Sequence, residues 1–517
     1  MKPSLVLVTV LLCCLSSASG ANILALFNLA TRSHHIWTST ILLTLAERGH
    51  NVTVLSTMAQ KQPAPNLTEI VITGIYEFIA GTENFALEEM SEISSFSMTK
   101  IFGNWIKLLC SYSIQNEATK TLLNYPDNFK FDLIIYEPLG AECLLGLAKR
   151  FGSPPLIAIS GLNHPQWVND IVGNPDNPAY ITNIFLPYTD RMTFLQKTNN
   201  FLLNMYMQYL WKMDIIPAYD DLSSQYLGPS ASIPSEEISK TSIVMVNTHP
   251  SFDYARPLLP SIVNIAGIHI KDPQPLPKDL KNFLDEAKEG VIYFSLGTNL
   301  RSDKLRKDKR EALLSAFAEL PQKVLWKWES DSLPGQPKNV IVRKWLSQRD
   351  ILAHPNVRLF ITHSGLLSTH EAIYRGVPMV GIPFFMDQQT NIQKVIDHGV
   401  GLRLDYEDIT KETVLKAIRT VLDDPSYAKN MRDLSARFRD QPESPMERAV
   451  YWCEYVLRHK GAHHLRSAAV DLTWYQYLLL DVIALLTAAI LLPVVLLWCC
   501  CRRIFTKKQT QKKIKRN

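Results

Sequence analysis

The chain has 517 residues, with 54 lysines and arginines against 49 acids and 46% hydrophobic residues. That length supports two ordinary domains with additions, and the mixed composition excludes the disordered and fibrous classes. Eight of the cations fall after residue 501 with no acid among them; the remainder carries 46 basic against 49 acidic residues, which excludes a nucleic-acid-binding surface.

Residues 1–20 combine Lys2, an apolar run to Leu15 and small residues up to Gly20, the layout of a secretory signal peptide. Residues 22–29 (NILALFNL) read as a first strand, 30–35 as a turn, 36–48 as a helix ended by Gly49, and 52–55 as the next strand. This β–turn–α–β unit opens an α/β domain with a parallel sheet. Asn51 and Asn66 begin N-x-T glycosylation sequons; Asn66 lies in a polar loop, while Asn51 enters an apolar strand and is expected to be hidden. Residues 80–128 read as mostly helical, 131–136 as a buried strand ending at Glu137, 137–150 as a helix and 154–160 as another strand. Residues 163–240 are rich in aromatics, Asn and Pro and lack a clean period. They fit an irregular, partly helical insertion facing an apolar ligand or the membrane, or equally a packed helical subdomain. Between the two ends only Cys110, Cys143 and Cys453 remain, so no disulfide framework is expected.

Residues 242–247 close the first domain, read as 21–250, and a Pro-rich stretch, 251–285, reads as a linker. A second α/β domain, 286–440, begins at the strand VIYFS and its Gly297-Thr298 turn. Within it, residues 345–388 run strand, polar turn at His363-Ser364-Gly365, helix, strand, then Pro383 to Asp387-Gln388. Polar residues gathered after parallel strands and before a helix suit a nucleotide with phosphates. Residues 410–440 read as a charged amphipathic helix, and 441–473 as C-terminal helices returning toward the first domain. Residues 474–498 suit a membrane-spanning helix, with Trp474, Tyr475, Tyr477 and Trp498 as interfacial aromatics. The tail, 499–517, is basic, which by the positive-inside rule makes it cytoplasmic and the bulk of the chain luminal, a single-pass type I layout. Cys499, Cys500 and Cys501 at the membrane face form a candidate palmitoylation site.

Chemistry-bearing residues cluster at the strand ends. His34 and His35 follow the first strand, where a histidine serves as general base toward a hydroxyl or merely bonds locally in a turn. Glu137 follows a strand of the same domain and is placed to orient that base. In the second domain His363 with the N–H groups near Gly365 suits a diphosphate, Glu371 a ribose diol, Trp345 a stacked base, and Asp387-Gln388 sugar hydroxyls.

Trp345, Gln348, the run FITHSG ending at Gly365, Glu371, Pro378, Pro383 and Asp387-Gln388 together resemble the signature of the UDP-glycosyltransferases. RPLLP from Arg256, FSLGT ending at Gly297-Thr298, and the stretch from Met446 to Arg466 extend the likeness over essentially the whole chain. The resemblance implies an α/β fold of GT-B type: two Rossmann-like domains facing a cleft, the first for the acceptor and the second for the UDP-sugar, plus one C-terminal transmembrane helix. It implies no metal or other cofactor. It makes His34, in a Ser-His pair fourteen residues before Arg48 of an RGH turn, the catalytic base. By the same likeness Trp345 faces the uracil, Gln348 and Glu371 the uridine, His363 and Gly365 the diphosphate, and Asp387 and Gln388 the sugar, with Ser368, Gly297, Thr298 and Arg256 completing the donor site.

Two positions depart from the family pattern. Glu137 stands where an Asp is usual, leaving Glu142 as another candidate partner for His34. The HGGxN motif is His363-Ser364-Gly365-Leu366-Leu367, and the apolar Leu367 favours UDP-glucose over UDP-glucuronate. The last residues, 513–517, resemble a dilysine-type retrieval signal and point to the endoplasmic reticulum. The expected activity is transfer of a hexosyl group, with inversion, to hydroxyls of small lipophilic compounds. A catalytically silent UDP-sugar or lipophile-binding membrane protein is the second reading, resting on the two departures. Membrane lipid and a homo- or hetero-oligomeric partner are the remaining expected contacts.

Overall fold

The computed structural model describes residues 20–82, 87–228 and 230–514. The signal-peptide run and the final residues of the retrieval motif lie outside them. Two compact units emerge, ending and beginning at Arg466 and Ser467.

In the first unit, short apolar runs bounded by polar turns form two all-parallel sheets among the described residues. The first contains β1 (Asn22–Phe27), β2 (Asn51–Ser56), β3 (Leu67–Val71), β4 (Leu133–Tyr136), β5 (Leu156–Ser160), β6 (Thr241–Val246) and β7 (Ile262–Asn264). Their spatial order is β3-β2-β1-β4-β5-β6-β7. The second contains β8 (Val291–Ser295), β9 (Lys323–Lys327), β10 (Val340–Arg343), β11 (Val357–Thr362), β12 (Met379–Gly381) and β13 (Gly401–Arg403), ordered β10-β9-β8-β11-β12-β13. Strands such as β1, β4 and β5 are buried along nearly their whole length, as parallel strands covered on both faces must be.

Several elements differ from the sequence expectation, each for a local reason. Helix α1 (Arg32–Glu47) starts four residues early, so His34 and His35 sit on its first turn rather than in a loop. The polar run RSHH masks the start, but Trp37, Ile41 and Leu45 repeat on one buried face. Residues 137–150 form 3-10 turns, Glu142–Leu147 and Lys149–Phe151, instead of an α-helix. At Gly146 even a Cβ would lie 1.9 Å from Ser223 Oγ, so a neighbouring helix presses directly on this backbone.

Helix α2 (Ser95–Gln115) fills much of the stretch read as mostly helical, and the insertion beyond residue 163 is helical too: α3 (Phe194–Leu210) and α4 (Ile216–Leu227) dominate it, joined by a π-helical turn, Trp211–Ile215. A disulfide, Cys110–Cys143, ties α2 to the turn beyond Glu137, so one bridge exists where no framework was expected. Asn51 is exposed rather than hidden, because it opens the strand at its solvent end, and Asn66 is exposed in its loop with φ +59°. The segment read as linker contains β7, which adds to the first sheet beside β6.

In the second lobe α5 (Lys278–Asp285), α6 (Gln348–Leu352), α7 (Leu366–Arg375) and α8 (Gln388–Asp397) lead to α9 (Lys411–Asp423) and α10 (Pro425–Arg439). The last two replace the single expected helix. Asp424 accepts from Ser426 N–H and Pro425 takes the first helical position, a stop and a restart in adjacent residues. Then α11 (Pro445–His459), capped by a Ser444–Glu447 box, returns to the first lobe. Its Ala449, Val450, Cys453 and Val456 join Trp37, Ile41 and Leu45 of α1 in one core.

The second unit is described by itself. Its main element is α12 (Leu480–Ile514), 35 residues long, preceded by a short helix, Trp474–Tyr477. The span thus begins at Leu480 rather than Trp474, with Leu479 at φ +54° separating the two helices, and the helix runs on into the basic tail. Leu480–Lys508 is long and apolar enough to cross a membrane.

Candidate active site

Each sheet has one place where the chain turns back on itself. From β1 the connection runs outward to β2, and from β4 it runs the other way to β5, so the loops after β1 and β4 part and leave a crevice. His34 follows β1 and Glu137 follows β4. The second sheet repeats the device: Gly297 follows β8, and His363 follows its neighbour β11. Both groups of polar residues therefore occupy the ligand positions of open parallel sheets.

His34 and Glu137 meet: Nδ1 lies 2.5 Å from Oε1, with the side chains 13% and 2% exposed. Burial pulls the His34 pKa down, but the Glu137 charge and hydrogen bond, aided by Asp387, leave it raised above 6.5. The other carboxylate oxygen, Oε2, is buried without a partner. The longer acid does not loosen the pair, which removes the support Glu137 gave to a silent protein. Glu142 is occupied elsewhere: its Oε2 accepts from the Gly140 N–H at 2.7 Å, and burial pushes its pKa up to about 8. His35 faces away, with Nε2 3.3 Å from Gln60 Nε2 and 3.4 Å from Ser39 Oγ.

A residue unnoticed in the sequence closes this pair. Gly161, just after β5, faces the imidazole, and a Cβ there would lie 2.8 Å from Nδ1 and 3.4 Å from Glu137 Oε1. Only a glycine directly after an apolar strand hinted at it.

In the second lobe three expected residues form one polar knot. Gln348 Nε2 donates to Glu371 Oε2 at 2.5 Å and to Ser368 Oγ at 2.9 Å, while Tyr293 OH donates to Gln348 Oε1 at 3.4 Å. Burial raises the Glu371 pKa to about 7. His363 is wedged between two glycines: a Cβ would come within 2.4 Å of its ring at Gly297, which has φ +81°, and within 2.5 Å at Gly365. Burial, reinforced by the Lys327 charge, lowers its pKa to about 4, so near neutral pH it offers an uncharged ring. Gly365 caps α7 with no side chain, leaving the first-turn N–H groups free for an anion. Trp345 is half exposed at the mouth, and Thr298 is exposed beside Asn299.

At the start of α8, Asp387 Oδ2 accepts from Asn391 Nδ2 at 2.8 Å, and burial outweighs this bond and the His34 charge to raise its pKa. Asp387 is thus electrostatically linked to His34 of the other lobe. Gln388 is less available than expected, because its side-chain carbonyl accepts the Phe384 and Phe385 N–H groups and shapes the loop. Leu367 packs against the first-lobe core. Arg256 stands apart from the cradle. Its Nη1 donates to His164 O at 3.4 Å, and it lines a small recess together with Asp253, Thr390 and Lys394.

Comparison with known proteins agrees with this geometry. The profile of the family described as UDP-glucoronosyl and UDP-glucosyl transferase matches residues 25–516. The chain belongs to this family. It is 41% identical over 477 residues to UDP-glucosyltransferase 2 of Dactylopius coccus, covering 91% of each chain. It is 33% identical over 500 residues to human UDP-glucuronosyltransferase 2B7, covering 93% of each. Its fold is shared with the calicheamicin glycosyltransferase CalG4, at a TM-score of 0.55 and 17% identity over 85% of this chain and 99% of that one. This transferase is therefore a GT-B enzyme that takes a UDP-sugar donor and a small acceptor.

Proposed function

We propose that this transferase moves a hexosyl group from a UDP-sugar to a hydroxyl of a small lipophilic acceptor, inverting the anomeric centre, with UDP-glucose as the favoured donor. The buried His34–Glu137 pair facing Asp387 carries the reading. With Nδ1 held by Glu137, His34 Nε2 is the free position for the acceptor proton. The acceptor oxygen attacks the anomeric carbon from the face opposite UDP; the new C–O bond forms as the bond to the diphosphate breaks, and UDP leaves with the electron pair. The proton ends on His34, whose imidazolium Glu137 stabilises.

Trp345, Gln348, Ser368 and Glu371 would hold the uridine, and Gly297 and Thr298 would complete the donor side, whereas Arg256 lies outside the cradle. The α7 N-terminus and His363 would meet the charge on the leaving diphosphate without calling on a metal. Asp387 and the amide of Gln388 would take the sugar hydroxyls. Leu367, apolar where the family pattern has Asn, is the ground for favouring glucose. The apolar helix α12, the disulfide and the exposed sequon residues Asn51 and Asn66 support a glycosylated single-pass protein of the endoplasmic reticulum membrane with a luminal catalytic unit.

Membranes carrying the full chain, assayed side by side with UDP-glucose and UDP-glucuronate against mixed phenols and steroids, test the reading. Conjugation from UDP-glucose is expected. Faster transfer of glucuronate would overturn the donor assignment, and an undiminished rate in His34→Ala would overturn the mechanism.

A further inference from the structure

Helix α8 is held from two sides. Its Ile392 and Val395 belong to the core of the second lobe. Met386, just ahead of the helix, packs against the core of the first lobe, and Thr390 and Lys394 follow it at four-residue intervals, within about 80° of arc. Lys394 pairs with Asp253, which lies between β6 and β7. Thr390, buried, aims its hydroxyl at two first-lobe carbonyls, Ile184 O at 2.7 Å and Leu186 O at 2.9 Å. A hydroxyl has one proton, so the two carbonyls share it.

The loop that supplies these carbonyls is itself fixed. The Asn183 N–H donates to Asn200 Oδ1 and Asn183 Nδ2 donates to Asn204 Oδ1, each at 2.8 Å, which ties the loop to α3. Ser95 Oγ donates to Phe185 O at 2.9 Å, which ties it to α2. Thr390 is therefore the point where the helices of the first lobe take hold of α8.

The positions beside this anchor carry polar residues of the cleft. Asn391 Nδ2 donates to Asp387 Oδ2 at 2.8 Å and to Ser364 O, in the turn after β11, at 3.1 Å. Met386 has φ +59°, a conformation that a methionine keeps only where its surroundings impose it. Asp387 is the next residue. The direction of its carboxylate thus depends on an anchor in the other lobe.

We propose that Thr390 is a positioning residue: it fixes α8 to the first lobe and so sets the Asp387 carboxylate where a donor hexose is held. The inference rests on the reading of Asp387 as a sugar ligand. Removing the hydroxyl would leave two buried carbonyls without their donor and free the start of α8 to turn.

Titration calorimetry of the full chain in detergent, with UDP, UDP-glucose and UDP-glucuronate and without acceptor, tests this. Thr390→Val is expected to weaken whichever UDP-sugar binds the wild type more tightly by about three- to tenfold, and UDP by less than about twofold. Thr390→Ser, which keeps the hydroxyl, should match the wild type. In an Asp387→Asn background, Thr390→Val should add no further loss. Unchanged sugar binding in Thr390→Val, or equal weakening of UDP and UDP-sugar, would overturn the proposal by leaving Thr390 only a part of the packing. An Asp387→Asn variant that binds the UDP-sugar normally would instead remove the sugar-ligand reading itself, and the proposal with it.

Discussion

The guanidinium carbon of Arg32 lies 4.5 Å from the centre of the Trp345 ring. Arg32 opens α1, two residues before His34, whereas Trp345 belongs to the second lobe, so the helix carrying the proposed base touches the rim of the proposed nucleotide cradle. A cation over an indole contributes about 0.5–2 kcal/mol, equivalent to a roughly 2- to 30-fold change in affinity. Arg32→Ala is expected to raise the KM for the UDP-sugar within that range while leaving acceptor KM nearly unchanged. Initial rates over a donor titration measure it, and an unaltered donor KM would break the link.

Removing the base should be far more damaging. His34→Ala is expected to lower kcat by about 10²–10⁴, the usual contribution of a positioned base, with UDP binding intact. Glu137→Gln keeps the shape and removes the charge that raises the His34 pKa. Since the base works only when neutral, activity rises with pH through that pKa, and the Gln variant should shift this acid limb of kcat/KM to lower pH at a reduced plateau. A limb that stayed in place would show that some other group titrates there.

Gly161→Ala tests whether the pair needs its glycine. The new methyl would sit inside van der Waals distance of His34 Nδ1 and force the imidazole off Glu137. A fall in kcat of at least about tenfold is expected for a misplaced base, with donor KM and melting temperature close to wild type. Full activity in this variant would mean that the ring has room to move.

Donor binding carries its own pH signature. Glu371 accepts at both carboxylate oxygens when ionised, protonation turns one of them into a donor, and burial places its pKa at about 7. The donor KM should therefore rise as the pH falls through about 7, and Glu371→Gln should have a high donor KM that no longer varies there. Isothermal titration with UDP across this window separates the effect from catalysis.

Stability has a separate focus between the lobes. Lys394 Nζ lies 2.5 Å from Asp253 Oδ1, with side chains only 4% and 14% exposed. Burial raises the Asp253 pKa, but the lysine charge and hydrogen bond override it and hold it at about 2. Lys394→Met would strand the carboxylate, a loss of about 3–5 kcal/mol by analogy with other broken buried pairs. Denaturant unfolding measures it, and Asp253→Asn in the same background should restore part of the loss.

The strands and the polar residues after them could be read from the chain because both signals are local: apolar runs of four to six residues and the turns that end them. That is why His34, Glu137, His363 and Glu371 stood out before any coordinates. What could not be read depends on approach from elsewhere in the fold. The early start of α1 is stabilised by packing of Trp37 rather than by a capping side chain. Gly146 and Gly161 matter through what touches them, and a lone glycine announces neither neighbour. Gln388 looked like a sugar ligand because its side chain suits one, yet its carbonyl is held by two backbone N–H groups three and four residues earlier.

The return of α11 to the first lobe has a mechanical consequence. The chain crosses between the lobes twice, once from β7 to α5 and again from α10 to α11. A single tether would let one lobe swivel about the other. Two tethers act as a paired hinge that resists torsion and leaves bending as the soft coordinate. Relative motion of the lobes is therefore expected to bend rather than twist, which would keep His34 and Asp387 in register.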